Sequence, residues 1–571
     1  MNIDKIRKTA YIYALQNAIQ FDGKANVKAV AGKVISELKD DNIPPKDIYK
    51  NTADVVKEVN NVSLDKQKKE LEKLAPELLV KEKKQRDFSL PDLPDAKKGG
   101  VITRFPPEPN GYLHIGHAKA VIVDYEYAKK YDGKFILRFD DTNPENADIE
   151  FYDAQKEDLK WLNISWDEEY NTSDNIEKHY KLAEKLILNG DAYVCSCESS
   201  KIKECRFNGT ECSCRDCECG EGIDLFHDMI SGGLNDAILR LRGDMKCVNT
   251  AMRDPTLFRI IEKTHPLQGD KYRVWPTYDF TGAVEDSISG VTHPFRTKEY
   301  ELRDECYFRL LDLLDLRKPY LMEFARLNIK GMPVSKRKIK PLIDQKLVFG
   351  YDDIRLPTLR GLKKRGIKPQ AIKNFVLKQG ISKVESIVDF SILESENRKI
   401  IDKDAKRYFF VKNPLKIKVK EAPEVEKKIP LHPTNRDLGY KKIKTNDIFY
   451  VQKEDMDLLK FGDVFRLKEL FNVKIIKKNK DIFCEYAGDK LIPDSLKIQW
   501  TTDEYLNSIV LIPHLLYIND SYNSDSLEKV YGFTEKAISE IKNGEIVQLE
   551  RFGFARIEKD EDKIIGYFTH K

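Results

Sequence analysis

Two histidines three residues apart, His114 and His117, stand where a proline-rich loop, RFPPEPNGYL, meets an apolar segment with helical spacing. The first turn of a helix offers unpaired backbone N–H groups and a positive dipole end, which together favour phosphate. Residues i and i+3 share one helix face, so both rings can donate hydrogen bonds to phosphate oxygens. Gly116 between them leaves room for a flat base or ribose. The stretch predicts a nucleotide site, although two histidines that merely cap a helix would show the same pattern.

The stretch GMPVSKRKIK, residues 331–340, is a second candidate for phosphate chemistry. A glycine and a proline free the loop, and Lys336 and Arg337 put positive charge at its tip. Such a loop can close on a pyrophosphate leaving group, although a solvated basic turn has the same composition. The histidine stretch does not have the form GxxxxGK[ST], so an ordinary phosphate-loop ATPase is excluded.

The cysteines predict a metal site. Seven of the ten cysteines fall between Cys195 and Cys219. The C-x-C pairs Cys195/Cys197 and Cys212/Cys214 can offer four thiolates to a tetrahedral Zn²⁺, and a closed site of this kind is structural. Cys217 and Cys219 are substitutes, and unliganded reduced thiols are the alternative. A cysteine cluster in a large chain without a secretion signal indicates metal binding and a cytoplasmic protein.

The elements that must position these residues follow from periodicity. Length, 571 residues, predicts several domains, and 41% hydrophobic residues suffice for packed cores. A net charge of +4 excludes a globally basic coat for nucleic acid, so any such contact must use local basic runs. No segment is long and apolar enough for a membrane span. VITRF, then LHIGHAKAVIVDYEYAKKY, then KFILRFDD predict a βαβ unit whose ligand site lies at the carboxyl ends of the strands. YRVWPTYDF predicts a further strand before the short helix TGAVEDSIS, and short alternating runs from about residue 405 predict the strands of β-barrels.

Longer stretches resemble one family. HIGH and VSKR resemble the two signatures of class I aminoacyl-tRNA synthetases. RFPPEPNGYLHIGHAKA, LRFDDTNPE, YDFTGAVEDSISGVTH, ARLNIKGMPVSKRK and YDDIRLPTLRGLKKRGIKPQAI are similar to the glutamyl/glutaminyl branch. The first ninety residues are predicted to be helical, on the spacing of IRKTAYIYALQNAIQF, KANVKAVAGKVISELKD and DKQKKELEKLAPELLVKEKKQ. They resemble the N-terminal extension of archaeal-type glutamyl enzymes. Pro333 and Val334 depart from the family's frequent Lys-Met, while Lys336 keeps its phosphate-contacting position.

The resemblance implies a multidomain α/β fold with a Rossmann-type core, helical additions and C-terminal β-barrels, and it sets the expected domain boundaries. These are a helical extension (1–92), a first catalytic half (93–192), an inserted Cys-rich acceptor-end domain (193–270), a second catalytic half (271–330), a loop-and-helix domain (331–404) and a β-barrel anticodon region (405–571).

The resemblance also implies which residues bind substrates. It places His114, Gly116, His117, Lys336, Arg326 and Glu108 at ATP, with the histidines and Lys336 supplying positive charge. It places Arg104, Asp140, Tyr278 and Arg296 at the amino acid. Asp140 holds the ammonium group, and Arg296, where glutaminyl enzymes carry a small neutral residue, matches a γ-carboxylate bidentately. The alternative is that Arg296 pairs with a protein acid such as Glu299.

The implied reaction joins L-glutamate to tRNA(Glu) through a glutamyl-adenylate, with ATP as substrate, Mg²⁺ on the phosphates and structural Zn²⁺ in the insert. The expected protein is a cytoplasmic monomer that does not contact a membrane. Three alternatives stay open: a glutaminyl enzyme, a shortened relative that glutamylates a tRNA base, and a non-catalytic tRNA-binding protein. The length after residue 405 disfavours the second, and the retained His114, His117 and Lys336 disfavour the third.

Overall fold

The structure, a computed structural model, describes residues 2–21, 23–38, 43–75, 78, 90–216, 218–479, 481–493, 495–561 and 563–571. The chain divides into two compact units, Met1–Ser89 and Leu90–Lys571. None of the helices in the described part is both long and apolar enough to cross a bilayer.

The first unit is a bundle of four helices: α1 (Asn2–Gln20), α2 (Val27–Glu37), α3 (Pro45–Asn60) and α4 (Leu64–Leu74). Alanine and valine at helical spacing bury one face of each helix in a shared core. The predicted helices at both ends of this unit are confirmed where they are described. The sequence analysis did not identify α3, and residues 79–85 of the last predicted helix lie outside the described residues.

The second unit begins with parallel strands joined by crossover helices: β1 (Ile102–Phe105), α5 (Ile115–Lys130), β2 (Lys134–Phe139), α6 (Ile149–Trp161) and β3 (Glu168–Asn171). The strand order is β1-β2-β3, and Arg104 is level with Ile136 across the first pair. β1 and β2 are almost wholly buried because α5 covers them with a continuous apolar core, whereas β3 is partly exposed. The predicted βαβ unit is confirmed.

An inserted layer follows α7 (Ile176–Leu188). Its strands form a four-stranded antiparallel sheet: β4 (Ala192–Cys195), β5 (Ile238–Leu241), β6 (Thr256–Ile260) and β7 (Val274–Pro276). Two helices, α8 (Ser199–Asn208) and α9 (Cys219–Ser231), lie between β4 and β5 in the sequence.

The chain then returns to the α/β core. The elements are α10 (Tyr278–Ile288), β8 (Phe295–Thr297), α11 (Asp304–Leu314), β9 (Met322–Phe324), β10 (Leu327–Ile329), α12 (Lys336–Asp344), α13 (Leu359–Arg365), α14 (Pro369–Gln379), β11 (Ser386–Val388) and α15 (Ser391–Ile401). The predicted strand YRVWPTYDF is wrong in its second half, because Tyr278 already begins α10.

Two seven-stranded, barrel-like sheets form the C-terminal part. Their strands include β12 (Arg407–Tyr408), β13 (Phe410–Lys412), β14 (Pro414–Lys420), β17 (Ile448–Gln452), β18 (Val464–Leu467), β19 (Asn472–Lys478), β20 (Ile482–Tyr486), β21 (Lys497–Ile498), β22 (Trp500–Thr501), β23 (Tyr505–Pro513), β26 (Leu527–Glu535), β27 (Ile546–Leu549), β28 (Gly553–Asp560) and β29 (Lys563–His570).

The remaining elements of this part are two hairpins and a short helix: β15 (Glu426–Pro430) with β16 (Tyr440–Lys444), β24 (Tyr517–Ile518) with β25 (Ser521–Tyr522), and α16 (Lys453–Asp457). The predicted C-terminal strands are confirmed, since alternating apolar residues mark each of them.

Candidate active site

The two histidines lie at the start of α5, at the end of the loop that connects β1 to this helix. His114 is the N-cap residue: its Nδ1 accepts a hydrogen bond from the Gly116 N–H at 3.1 Å. His117 Nδ1 accepts one from the His114 N–H at 3.3 Å, and the two rings stack with centroids 3.8 Å apart. Because each Nδ1 accepts, each neutral ring carries its proton on Nε2. Both rings therefore present one N–H donor to a ligand.

The charge expected from these histidines is not present. Burial, the neighbouring His117 and Arg326 hold the pKa of His114 well below its usual value, and burial and Arg326 lower the pKa of His117 to about 4. The rings are neutral donors at physiological pH, so the expectation that they supply positive charge is corrected. The structure gives a further reason for a glycine at position 116. A Cβ added there would lie 2.9 Å from His114 Cε1, so the glycine makes room for the His114 ring.

The basic loop lies beside the histidine turn. The side chain of Lys336, the first residue of α12, passes 3.7 Å from the position of an added Cβ on Gly111. Burial lowers the pKa of Lys336, which the Glu108 carboxylate opposes. Glu108 Oε1 accepts a hydrogen bond from Asn146 Nδ2 at 2.9 Å. The half-exposed Arg326 acts electrostatically on both histidines and forms an ion pair of 2.5 Å with Glu299.

The residues predicted to contact the amino acid come from three elements. Arg104 lies on β1, Tyr278 begins α10 and Arg296 lies on β8. Burial raises the pKa of Tyr278 to about 12, and both Arg104 and Arg296 are close enough to oppose that rise. The structure therefore brings these three side chains together beside the carboxyl ends of parallel strands.

Asp140, the predicted ammonium ligand, directly follows β2. Its Oδ1 accepts hydrogen bonds from Arg138 Nε and Thr172 Oγ1, each at 2.9 Å. Burial raises the pKa of Asp140, and the Arg138 guanidinium opposes that rise. None of the hydrogen bonds of the described residues involves Asp140 Oδ2. This oxygen can therefore accept a hydrogen bond from an ammonium group.

Arg296 is only 5% exposed and forms an ion pair with Asp304, the first residue of α11. Its Nε lies 3.8 Å from Glu323 Oε1. A protein carboxylate thus partners Arg296, as the alternative interpretation required, although the acid is Asp304 and not Glu299. The Asp304 side chain remains 32% exposed.

Sequence reasoning missed Asp286, on α10. This fully buried carboxylate accepts hydrogen bonds from Arg104, Arg138 and Tyr307. Burial alone would raise its pKa, but the two guanidinium groups lower it. A signal was present in the sequence: Glu285 and Asp286 interrupt the otherwise small and apolar stretch TGAVEDSIS.

The four cysteines predicted as ligands lie together, with their Sγ atoms all within 4.8 Å of one another. The Cys195–Cys212 and Cys197–Cys214 sulfur pairs are 3.8 and 3.7 Å apart. A tetrahedron with Zn–S bonds of about 2.3 Å has edges of about 3.8 Å, so the donor set fits zinc. Cys217 lies outside the described residues, and Cys219 begins α9 outside the four-sulfur cluster.

Three known family models match this chain. Residues 100–403 match the model of tRNA synthetases class I (E and Q), catalytic domain, and residues 405–487 and 476–558 match two models of its anti-codon binding domain. The chain is 44% identical over 563 residues to the glutamate–tRNA ligase of Nitrosopumilus maritimus (strain SCM1), with 98% of each chain covered.

A second relative, the glutamate–tRNA ligase of Pyrococcus furiosus, is 40% identical over 582 residues, covering 99% of this chain and all of that one. A solved glutamate tRNA ligase from Elizabethkingia meningosepticum aligns at 18% identity and TM-score 0.39 over 53% of this chain and 70% of its own. On its matched domains and its full-length relatives, this chain belongs to the class I tRNA synthetases of the E and Q family, the enzymes for glutamate and glutamine.

Proposed function

We propose that this enzyme ligates L-glutamate to the 3′-terminal adenosine of tRNA(Glu), using ATP and releasing AMP and pyrophosphate through a glutamyl-adenylate. The observation that carries the proposal is similarity along nearly the whole chain to curated glutamate–tRNA ligases. The two guanidinium groups near Tyr278, of Arg104 and Arg296, support it, because a γ-carboxylate needs a positively charged partner.

In the first step the glutamate α-carboxylate attacks the α-phosphate of ATP. The carboxylate is ionised at neutral pH, so the step needs positioning and phosphate stabilisation rather than a base. His114 and His117 donate Nε2–H hydrogen bonds to the phosphate oxygens, and Lys336 supplies the charge that the neutral rings do not. Mg²⁺, when bound with ATP, neutralises further phosphate charge. Arg326 and Glu108 flank this site.

The amino acid lies between the strand ends. Asp140 Oδ2 receives the ammonium group, and Arg104, Tyr278 and Arg296 surround the side chain. The γ-carboxylate of glutamate replaces Asp304 at Arg296. Asp304 can turn to solvent because its side chain is 32% exposed. Glutamine brings no charge to replace Asp304, so displacing that acid for glutamine would leave Arg296 as an unpaired buried ion, which costs about 3–5 kcal/mol.

In the second step the 2′-hydroxyl of the terminal adenosine of tRNA attacks the adenylate. The inserted sheet β4–β7 takes the acceptor end, and the four-cysteine cluster would hold zinc as a structural ion. The two C-terminal sheets bind the anticodon loop, with lysines of β14 and β19 near phosphates. A cavity of 630 Å³ lined by residues of both sheets, Gln452 and Phe568 among them, can admit an unstacked base.

The test is to charge purified tRNA(Glu) and tRNA(Gln) with labelled glutamate and, separately, with labelled glutamine. We expect glutamate to be attached to tRNA(Glu). We also expect pyrophosphate exchange to require bound tRNA. Glutamine charging would instead establish the glutaminyl alternative, and no charging with either would establish a non-catalytic relative. Glutamate on tRNA(Gln) as well would extend the tRNA range. Cytoplasmic location and a monomeric state stay predictions.

A further inference from the structure

Asp286 is the carboxylate on which the charged groups of the amino-acid pocket converge. It is fully buried near the end of α10. Its Oδ1 accepts from Arg104 Nε at 3.0 Å and Arg138 Nη1 at 2.8 Å. Its Oδ2 accepts from Arg104 Nη2 at 3.0 Å and Tyr307 Oη at 3.1 Å. Four donors on one carboxylate fill its lone pairs and fix its position.

This arrangement fixes the plane of the Arg104 guanidinium. The two hydrogen bonds to Asp286 are bidentate, and Arg104 Nη1 also donates to the Phe295 carbonyl at 2.7 Å. A guanidinium has five N–H groups, so two are left for a ligand. A planar, bidentate pair cannot rotate without breaking both bonds, so Asp286 determines where those two N–H groups lie.

The same carboxylate acts on Asp140 through Arg138. Arg138 Nη1 donates to Asp286 and its Nε donates to Asp140 Oδ1, so the guanidinium bridges the two acids. Arg138 is 1% exposed, which leaves it little freedom to move. One buried anion therefore orients both a cation and an anion of the predicted pocket.

We propose that Asp286 is a positioning residue for the amino-acid substrate, because it orients Arg104 directly and Asp140 through Arg138. The inference rests on the proposed function, which assigns Arg104 and Asp140 to the substrate. The competing explanation is a structural ion pair that only fixes α10 to the strands. The two differ in what they predict for substrate binding.

The chain offers a matched control for this question. Glu285, the neighbouring residue on α10, is equally buried and pairs with His179 at 2.6 Å and with Asn175. Among the hydrogen bonds of the described residues, neither Arg104 nor Arg138 donates to Glu285. Asp286→Asn and Glu285→Gln each replace a buried carboxylate with an amide, at adjacent positions of α10. Only Asp286→Asn changes a hydrogen-bond partner of Arg104 and Arg138.

The experiment measures aminoacylation of tRNA by the full chain, with KM for glutamate, KM for ATP and kcat determined separately. For Asp286→Asn we expect KM for glutamate to rise about ten- to hundredfold, with KM for ATP changed by less than about threefold. Glu285→Gln should leave KM for glutamate near wild type even if it lowers the melting temperature. Equal effects of the two variants on KM for glutamate, or a change confined to the melting temperature, would overturn the proposal.

Two further measurements keep the test decisive. If Asp286→Asn does not fold, Tyr307→Phe removes one donor from the carboxylate and keeps the ring; KM for glutamate should then rise about threefold, and an unchanged value overturns the proposal. In a double-mutant cycle with Arg104→Gln, the effects on KM should not add, whereas additive effects contradict action through Arg104.

Failure of the proposed function would be visible separately. If the wild type charges glutamine instead of glutamate, the amino-acid assignment is wrong, yet the ammonium group still needs Asp140. KM for glutamine should then rise in Asp286→Asn, and only its constancy would overturn the role of Asp286. A wild type that charges neither amino acid overturns both.

Discussion

At the scale of single residues, Arg296 has a partner in the protein and a proposed partner in the substrate. In the structure Arg296 pairs with Asp304. Because Asp304 is partly exposed, a substrate carboxylate can replace it as the partner of Arg296. A guanidinium held by a partly exposed acid is ready to bind a carboxylate ligand without being left as an unpaired buried charge. Two substitutions separate a ligand-binding arginine from a structural one.

Arg296→Gln should lower kcat/KM for glutamate by about two to three decades, because the γ-carboxylate loses its buried partner. Asp304→Asn should lower it far less or raise it, because the internal competitor is removed. Steady-state charging of tRNA by both variants measures this. If Asp304→Asn matched Arg296→Gln in its loss, the ion pair would be structural and the substrate role of Arg296 would be wrong.

The histidines give a pH prediction. A pKa near 4 for His117, and one also lowered for His114, means that both rings are neutral throughout the neutral range. They protonate only as pH falls toward the folded pKa, so in the neutral range both rings stay uncharged and each donates from Nε2. The pH profile of kcat/KM for ATP in pyrophosphate exchange, which reports the free enzyme, should show no inflection near 6.5. An inflection there that His117→Asn abolishes would contradict the neutral assignment.

At the scale of elements, the sequence predicts those parts whose signals are local. The run VITRF, the helix from LHIGHAKA and the strand KFILRFDD have unmistakable periods, so β1, α5 and β2 follow from the sequence with errors of a residue or two. The cysteine cluster follows from the spacing of its C-x-C pairs. The segment YRVWPTYDF misleads because aromatic and β-branched residues favour a strand, while the buried packing of α10 overrides that preference from Tyr278 onward.

The role of Asp286 lies beyond local signals. The four groups that donate to Asp286 belong to residues of β1, β2 and α11. The most distant of these residues, Arg104, is 182 positions away in the chain. The partner of Arg296 is hidden for a similar reason. Asp304 and Glu299 are both near in sequence, and only the fold shows that Glu299 turns to Arg326.

The four-cysteine cluster of the inserted layer leads to a prediction about the zinc content of the protein. Cys197→Ser should reduce zinc in the purified protein from about one ion per chain to a small fraction of that, and should lower the melting temperature, because a structural zinc site contributes folding free energy. Metal analysis by mass spectrometry gives the content. Cys247→Ser, which changes a half-buried cysteine outside the cluster, is the control. A Cys197→Ser protein with full zinc content would show that the four-sulfur cluster is not the site.

At the scale of the whole second unit, the segment that connects β23 to β26 contacts the basic loop of residues 331–340. The hairpin β24–β25 reaches the basic loop, where the Tyr517 N–H donates to the Gly331 carbonyl at 3.2 Å. Ser526 accepts a hydrogen bond from Arg355 at 3.0 Å. Three residues after Arg355, Thr358 forms a bridge with His114. The connection between β23 and β26 therefore contacts the basic loop directly, and it reaches the histidine turn only through the segment of Arg355 and Thr358.

Leu516 is the residue through which this contact can be tested, because it is fully buried against Ile339 and Leu342 of α12. Leu516→Ala should leave a cavity that costs about 2–5 kcal/mol and loosens the loop that carries Lys336. We expect kcat for tRNA-dependent pyrophosphate exchange to fall about tenfold with KM for glutamate unchanged. Leu467→Ala, an equally buried leucine on β18 in the other sheet, is the control and should lower stability without lowering kcat. Equal losses of kcat in both variants would mean that the hairpin only stabilises the fold.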